Sequence, residues 1–275
     1  METKNNILFF DTETTGIIKD EKGQVISNWS LIQLAYRQYK NNEKTDKNLF
    51  FKTDTKIEIG SMAVHWIYPE LLLDKSDWKY LENDVREELS NIFENNIIIA
   101  HNLDFDADVL KRSAIGFSDK KIDTLKVAKI MLAEWFLKND DDFSPEYVNL
   151  QYLRYFFKHY KIVDENWENE CTTAHDAFWD VVVLEKIFYS LFEIIKNKLN
   201  LEDEEILEIM QDMTKKEFIL IKTMRIGKYR WMTFEEVADI DRWYLNWMVW
   251  ADFTDDIKYT CKVWLGLEED NKFFS

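Results

Sequence analysis

The chain has 275 residues and a formal net charge of −17, with 46% hydrophobic residues, 15% aromatic residues, six glycines and two prolines. That is room for one large domain, or for a domain of about 180–200 residues with a small appendage, and it excludes wholesale disorder and turn-dense small β architectures. Net acidity excludes a sequence-blind nucleic-acid coating role but leaves open a site whose carboxylates bring their own cations.

No window approaches the roughly 18 uncharged apolar residues of a membrane span, so none is expected. The N-terminal segment lacks the basic and small-residue signature of a secretory signal. Cys171 and Cys261 form neither a disulfide framework nor a Cys/His cluster, which predicts a cytoplasmic, reducing setting without zinc. Ile7-Leu8-Phe9-Phe10 runs into Asp11 and reads as a buried strand; residues 30–39 and 49–53 read as the second and third strands. Trp78, Leu81, Val85, Leu89, Ile92 and Phe93 recur at helical spacing and predict an amphipathic helix over 77–95. Residues 97–100 form the next strand, 103–113 a helix, and Ile122-Asp123 a short strand opening into a helix to about Leu137. An acidic loop over 139–145 precedes a helix through Phe157. Thr173 and Asp176 have the form of a capping box, and Leu184, Ile187, Phe188, Leu191 and Ile195 give the following helix its apolar stripe.

These elements predict a mixed α/β domain over residues 1–198 and a second, small and mostly helical module over 199–275. Residues 200–208 read as a linker helix, and Trp231, Trp243, Trp247 and Trp250 as the core of the module.

Asp11 and Glu13 are two apart on or just after a strand, so both side chains share one sheet face. Two like charges there are costly unless a cation sits between them, which points to a divalent metal; the alternative is a cap on the turn into Thr14-Thr15-Gly16. Asn102 is placed to cap the helix that follows, with Asp106 one turn in, near the strand ends where ligands of α/β sheets gather. The alternative for Asp104, Asp106 and Asp108 is a solvated acidic first turn favoured by the helix dipole. His175 and Asp180 are five apart, so they share a site only if His175 turns back from the helix entrance, where it could act as a general base. His65, His101 and His159 read as structural.

The runs Asp11-Thr12-Glu13-Thr14-Thr15-Gly16, His101-Asn102-Leu103-Asp104-Phe105-Asp106 and His175-Asp176-Ala177-Phe178-Trp179-Asp180 resemble, in order and spacing, the three motifs of the DEDDh (DnaQ-like) 3′–5′ exonuclease superfamily. Between them, Ile32-Gln33-Leu34-Ala35 is similar to the family's second strand, with Gln33 where Glu is more usual. Ala63–Ile67 resembles its A-x-x-H-G-I segment, with Trp66 in place of Gly, and Ile122-Asp123-Thr124-Leu125 its I-D-T-L step. The resemblance covers about residues 5–195 and implies an RNase H-like fold, a mixed central sheet flanked by helices, with two-metal hydrolysis at a 3′ end. By the same resemblance, Asp11, Glu13 and Asp180 would hold one ion and Asp11 the second, with Asp106 acting directly or through water. Hard oxygen ligands suit Mg²⁺ or Mn²⁺. His175 would be the general base. Backbone at Thr12 and Thr14, the Asn102 side chain, and Ile17 after the first motif would meet the terminal nucleotide. The segment 16–31 is longer than the usual family link, which bears on substrate preference.

Residues 214–230 carry six basic side chains against Glu217 alone, a local +5 in an acidic chain. Residues 226–238, followed by Trp243-Tyr244-Leu245-Asn246-Trp247-Met248, resemble the small C-terminal module of exodeoxyribonuclease X-like proteins, with Trp231 replacing a Gly. Lys228 and Arg230 are the expected nucleic-acid contacts, since basic side chains beside aromatics make a single-strand platform. The expected function is therefore a metal-dependent 3′–5′ exonuclease that releases nucleoside monophosphates from DNA, with single-stranded DNA or 3′ ends as partner and no membrane. The same chemistry on RNA or short oligonucleotides, and an accessory proofreading subunit that docks a polymerase, are the alternatives.

Overall fold

The structure is a computed structural model that describes residues 6–16, 18–19, 25–27, 29–41, 43–133, 137, 144–160 and 176–269. By their contacts the residues fall into two compact units, residues 1–124 with 149–190, and residues 125–148 with 191–275. The expected cut near residue 198 does not coincide with this division, because the second unit takes residues 125–148 and the C-terminal part of the long helix.

In the first unit, β1 (Ile7–Thr14), β4 (Leu31–Lys40), β5 (Glu43–Phe50), β6 (Ile97–Ala100) and β7 (Lys121–Asp123) form one sheet in the order β5-β4-β1-β6-β7. β4 runs antiparallel to β1 and β5, whereas β6 and β7 join in parallel. This is the mixed sheet of the RNase H-like fold that the resemblance implies. A short pair, β2 (Ile18–Lys19) and β3 (Val25–Ser27), lies in the insertion after the first motif.

The fully apolar start of β1 explains its central place: Ile7, Leu8, Phe9 and Phe10 are all buried. Leu8 and Phe10 point into a core shared with Leu103, Val109 and Leu110 of α3 (Leu103–Arg112). Phe9 points to the other face, edge-on to Phe188 of α6 (Ala177–Leu199) at 5.4 Å. The two-residue period thus places one helix on each side of β1.

Several expectations need correction. The third strand lies at 43–50 rather than 49–53; it follows β4 through a turn at Asn41, whose φ is 52°. Its polar residues hid it because it is an edge strand, exposed over most of its length. The helix expected over 77–95 is split into a 3₁₀ turn, Trp78–Tyr80, and α2 (Asn83–Glu94). Extended backbone at Glu82 separates them, and Arg86 ties them together by donating to the Trp78 carbonyl. A short helix, α1 (Ile59–His65), was not expected; it ends at Trp66 in the left-handed region, φ 59°. Its His65 is buried, with Nε2 3.2 Å from the Thr14 carbonyl and Nδ1 accepting from the Ile67 amide, so it is structural as read. After β7, α4 spans Thr124–Ala133 among the described residues, and α5 spans Leu150–His159.

In the second unit, α7 (Asp203–Thr214) is longer than the expected linker helix and buries Ile206, Leu207, Met210 and Met213, so it is a packed element. α8 (Phe234–Ile240), α9 (Arg242–Trp250) and α10 (Asp255–Leu265) enclose a core of Met224, Phe234, Val237, Leu245, Met248 and Cys261. The tryptophans are not that core. Trp231, Trp243, Trp247 and Trp250 are 52%, 73%, 45% and 84% exposed, because the aliphatic and sulfur side chains on the opposite face of α9 fill the interior instead. Cys171 and Thr173 lie outside the described residues, while Cys261 is a buried free thiol. Among the described residues, no helix is long and apolar enough to cross a membrane.

Candidate active site

Asp11 and Glu13 lie within β1, on the face turned toward α6, and Asp180 lies in the first turn of that helix. One carboxylate oxygen from each of the three falls within 4.8 Å of the others. Phe9–Phe188 packing explains the meeting: it seats α6 on the β1 face from which Asp11 and Glu13 project. Asp180 is buried, Asp11 and Glu13 are half-buried, and the three repel one another. Burial, then Asp106, Glu13 and Asp180, raise the Asp11 carboxyl well above its ordinary value. Burial, then Asp180 and Asp106, push Glu13 up to about 8. A partly buried cluster of hard oxygen donors that resists ionisation fits a divalent cation, which would supply the missing positive charge.

Asp106 arrives from α3, on the other side of β1, and is buried. Its Oδ1 accepts from both the backbone amide of Thr12, at 3.1 Å, and the Thr12 hydroxyl. Burial raises it to about 7, against the two Thr12 hydrogen bonds, which favour the charged form. Asp106 is therefore not part of the three-carboxylate group, yet it stands near enough to raise both Asp11 and Glu13. Thr12 emerges as the residue that holds Asp106, which its place inside the D-T-E motif did not disclose.

Three further supports were not identified from the sequence. Gln151, at the start of α5, donates to Asp180 Oδ1 at 2.7 Å. Asp123 accepts from the Asn102 amide at 3.0 Å and so fixes the loop that opens α3. Gln33, opposite Glu13 in the β1–β4 register, donates to Asp176 Oδ1 at 3.1 Å and to Asn48 Oδ1 at 2.9 Å. Asp176 in turn accepts from the Phe178 amide and so caps α6. These partners of Gln151, Asp123 and Gln33 lie 15 to 143 residues away in sequence, so no local pattern announces them.

Of the residues expected to meet a nucleotide, Thr14 is buried. Asn102 sits at the N-cap position of α3 but does not cap it; its backbone is left-handed, φ 73°, and its exposed side chain makes no cap hydrogen bond. His175 and Ile17 lie outside the described residues. In the second unit, Lys228 bonds Asp241 at 2.9 Å and Arg230 bonds Glu146 at 2.9 Å, both near the surface.

The sequence pattern of the 3′–5′ exonuclease family matches residues 57–196, a segment that includes Asp106, His175 and Asp180 and begins after Asp11 and Glu13. DNA polymerase III subunit epsilon of Buchnera aphidicola is 30% identical over 139 residues, covering 47% of this chain and 56% of that protein. The same subunit of Haemophilus influenzae is 23% identical over 232 residues, 79% of this chain and 80% of that protein. The chain thus spans little more than half the length of the Buchnera relative. A solved structure of Exonuclease X in complex with 5′ overhanging duplex DNA is similar at 18% identity and TM-score 0.45, over 76% of this chain and 99% of that one. That of cell-death related nuclease 4 is similar at 14% identity and TM-score 0.49, over 69% and 64%.

Proposed function

Because the chain belongs to the 3′–5′ exonuclease family, we propose that it hydrolyses phosphodiester bonds at DNA 3′ ends, releasing nucleoside monophosphates in the cytoplasm. The observation that carries this reading is the convergence of Asp11, Glu13 and Asp180 within 4.8 Å beside a buried Asp106. The relatives' naming as DNA polymerase subunits supports DNA over RNA.

Two divalent ions, Mg²⁺ or Mn²⁺, fit the donor set. Asp11, Glu13 and Asp180 would hold one, and Asp11 with Asp106 the other. When bound, such ions stabilise charge on the attacking and leaving oxygens of the displaced phosphodiester. The chain's own residues do the rest. β1 holds Asp11 and Glu13 on one face, the Thr12 hydrogen bonds favour the ionised form of Asp106 against its burial, and Gln151 orients Asp180. Asn102, whose side chain is released from capping, donates to the terminal nucleotide; backbone at Thr12 and Thr14 is the further contact proposed for it, and Ile17 the residue proposed to meet its base. His175 accepts a proton as general base. Lys228 and Arg230, themselves exposed, exchange their half-buried carboxylate partners Asp241 and Glu146 for strand phosphates at small cost, since ion pairs near the surface are worth about 0–1 kcal/mol.

The test is a gel assay on 5′-labelled DNA and RNA of matched sequence, with Mg²⁺, Mn²⁺ or excess chelator. A ladder of shortened DNA in either metal is expected. Full activity in chelator overturns the metal role, and faster loss of RNA moves the substrate to RNA.

A further inference from the structure

Trp231 combines three features that do not serve folding. Its φ of 77° lies in the left-handed region, which a bulky side chain occupies only under strain. Its backbone is pinned there: its amide donates to the Met224 carbonyl at 2.7 Å, and the Met224 amide donates to the Met232 carbonyl at 2.8 Å. Met224 is fully buried, so the hairpin-like turn is anchored in the module core while the indole is left half exposed. The turn is equally demanding at Gly227, φ 74°, where a Cβ would meet the Tyr244 hydroxyl at 2.3 Å.

Two cations also stand against the indole. The guanidinium carbons of Arg225 and Arg230 stand 4.9 Å and 4.6 Å from its ring centroid. Both belong to the stretch with six basic residues against one acid. A protein partner's apolar surface would not be favoured by desolvating two guanidinium groups. A nucleobase next to its own phosphate matches both parts, π-face to indole or guanidinium and anion to cation.

We propose that Trp231, with Arg225 and Arg230, forms a base-stacking site for single-stranded nucleic acid in the second unit. The site deepens the exonuclease reading and rests on it for the class of ligand. Arg225 and Arg230 align the indole and meet the backbone, while Trp231 supplies sequence-tolerant stacking. Left-handed strain at Trp231 is the cost of aiming the ring outward from an anchored turn.

The experiment uses the full chain carrying Asp11→Ala, so that binding is read without hydrolysis. Fluorescence anisotropy compares a labelled oligothymidylate with an abasic strand of the same length and charge. The parent should prefer the thymidine strand, and Trp231→Gly should reduce that preference by about 5- to 100-fold, the range for one lost stacked base. Trp231→Phe should keep most of it, and Trp231→Leu, which preserves bulk without a π-face, should not. Trp231→Gly should melt at or above the parent temperature, because glycine relieves the strained backbone. Arg225→Ala should weaken both strands alike. An unchanged preference in both Trp231→Gly and Trp231→Leu overturns the proposal, as does a parent that binds both strands equally. If the intact chain cleaves DNA yet these variants keep their preference, only this site fails. If the preference is lost as expected while the intact chain cleaves nothing, the stacking site stands and the exonuclease reading fails.

Discussion

Gln33 Nε2 donates to Asp176 Oδ1 at 3.1 Å, so a buried side chain near the start of β4 holds the residue that caps α6. The Ala177 amide donates back to Gln33 Oε1 at 3.4 Å. One amide thereby fixes the helix start from which Asp180 reaches Asp11 and Glu13. An amide can donate and accept at once, whereas a carboxylate in that place would face Asp176 with like charge. Gln33→Leu should lower stability by about 1–3 kcal/mol, the cost of leaving the buried Ala177 amide without its acceptor, seen as a lower melting temperature, and should slow hydrolysis. Gln33→Glu should be destabilised in chelator near pH 8 and recover near pH 5, where a protonated carboxyl can donate again. Equal melting of parent and Gln33→Glu at both pH values would show that the amide is not required.

Loss of one carboxylate should relieve the cluster. Asp11→Ala and Asp180→Asn are each expected to abolish hydrolysis while leaving the melting temperature in chelator unchanged or higher. A folded Asp11→Ala protein with parental turnover would remove Asp11 from the chemistry.

The raised carboxyls also make stability depend on pH. Glu13 rises from its ordinary 4.5 to about 8 in the folded chain, so over that window the unfolded chain releases a proton that the folded chain keeps. Stability without metal should fall as pH climbs from about 4.5 to 8. A drop of roughly 5 °C or more in melting temperature is expected for a chain of this size. Mg²⁺ should reverse the loss, and do so more at pH 8 than at pH 5, where protons compete with it. Glu13→Gln should flatten the chelator profile; a profile as steep as the parent's would assign the effect elsewhere.

Thr12→Val removes the hydroxyl donor to Asp106 with little change in shape. A hydrogen bond to a charged group is worth about 1.5–3 kcal/mol, so roughly a 10- to 100-fold loss of rate near neutral pH is expected. The loss should shrink at higher pH, because the carboxyl left with one donor ionises later. Parental rates at every pH would mean that the Thr12 hydroxyl does not support Asp106.

His175→Ala should cost about 10²-fold or more in rate, the scale for a lost general base, with the Mg²⁺ dependence unchanged. Wild-type turnover near neutral pH would return His175 to a structural role.

Much of this was legible in the sequence because it is local. Strand period two put Asp11 and Glu13 on one face, an apolar run marked β1 as central, and helical spacing located α3 and α6. What stayed hidden depends on partners distant along the chain. The edge strand β5 carries no apolar alternation because neither face is buried along most of its length. The sequence pattern also made core of the module tryptophans, since aromatic spacing records a helix face but not which face is turned inward. Only the tertiary structure decided that Asp106 is held by Thr12 and that Gln33 sets the entrance of α6. Side-chain chemistry is written residue by residue, but a hydrogen bond between β4 and α6 exists only once the sheet and helix have packed.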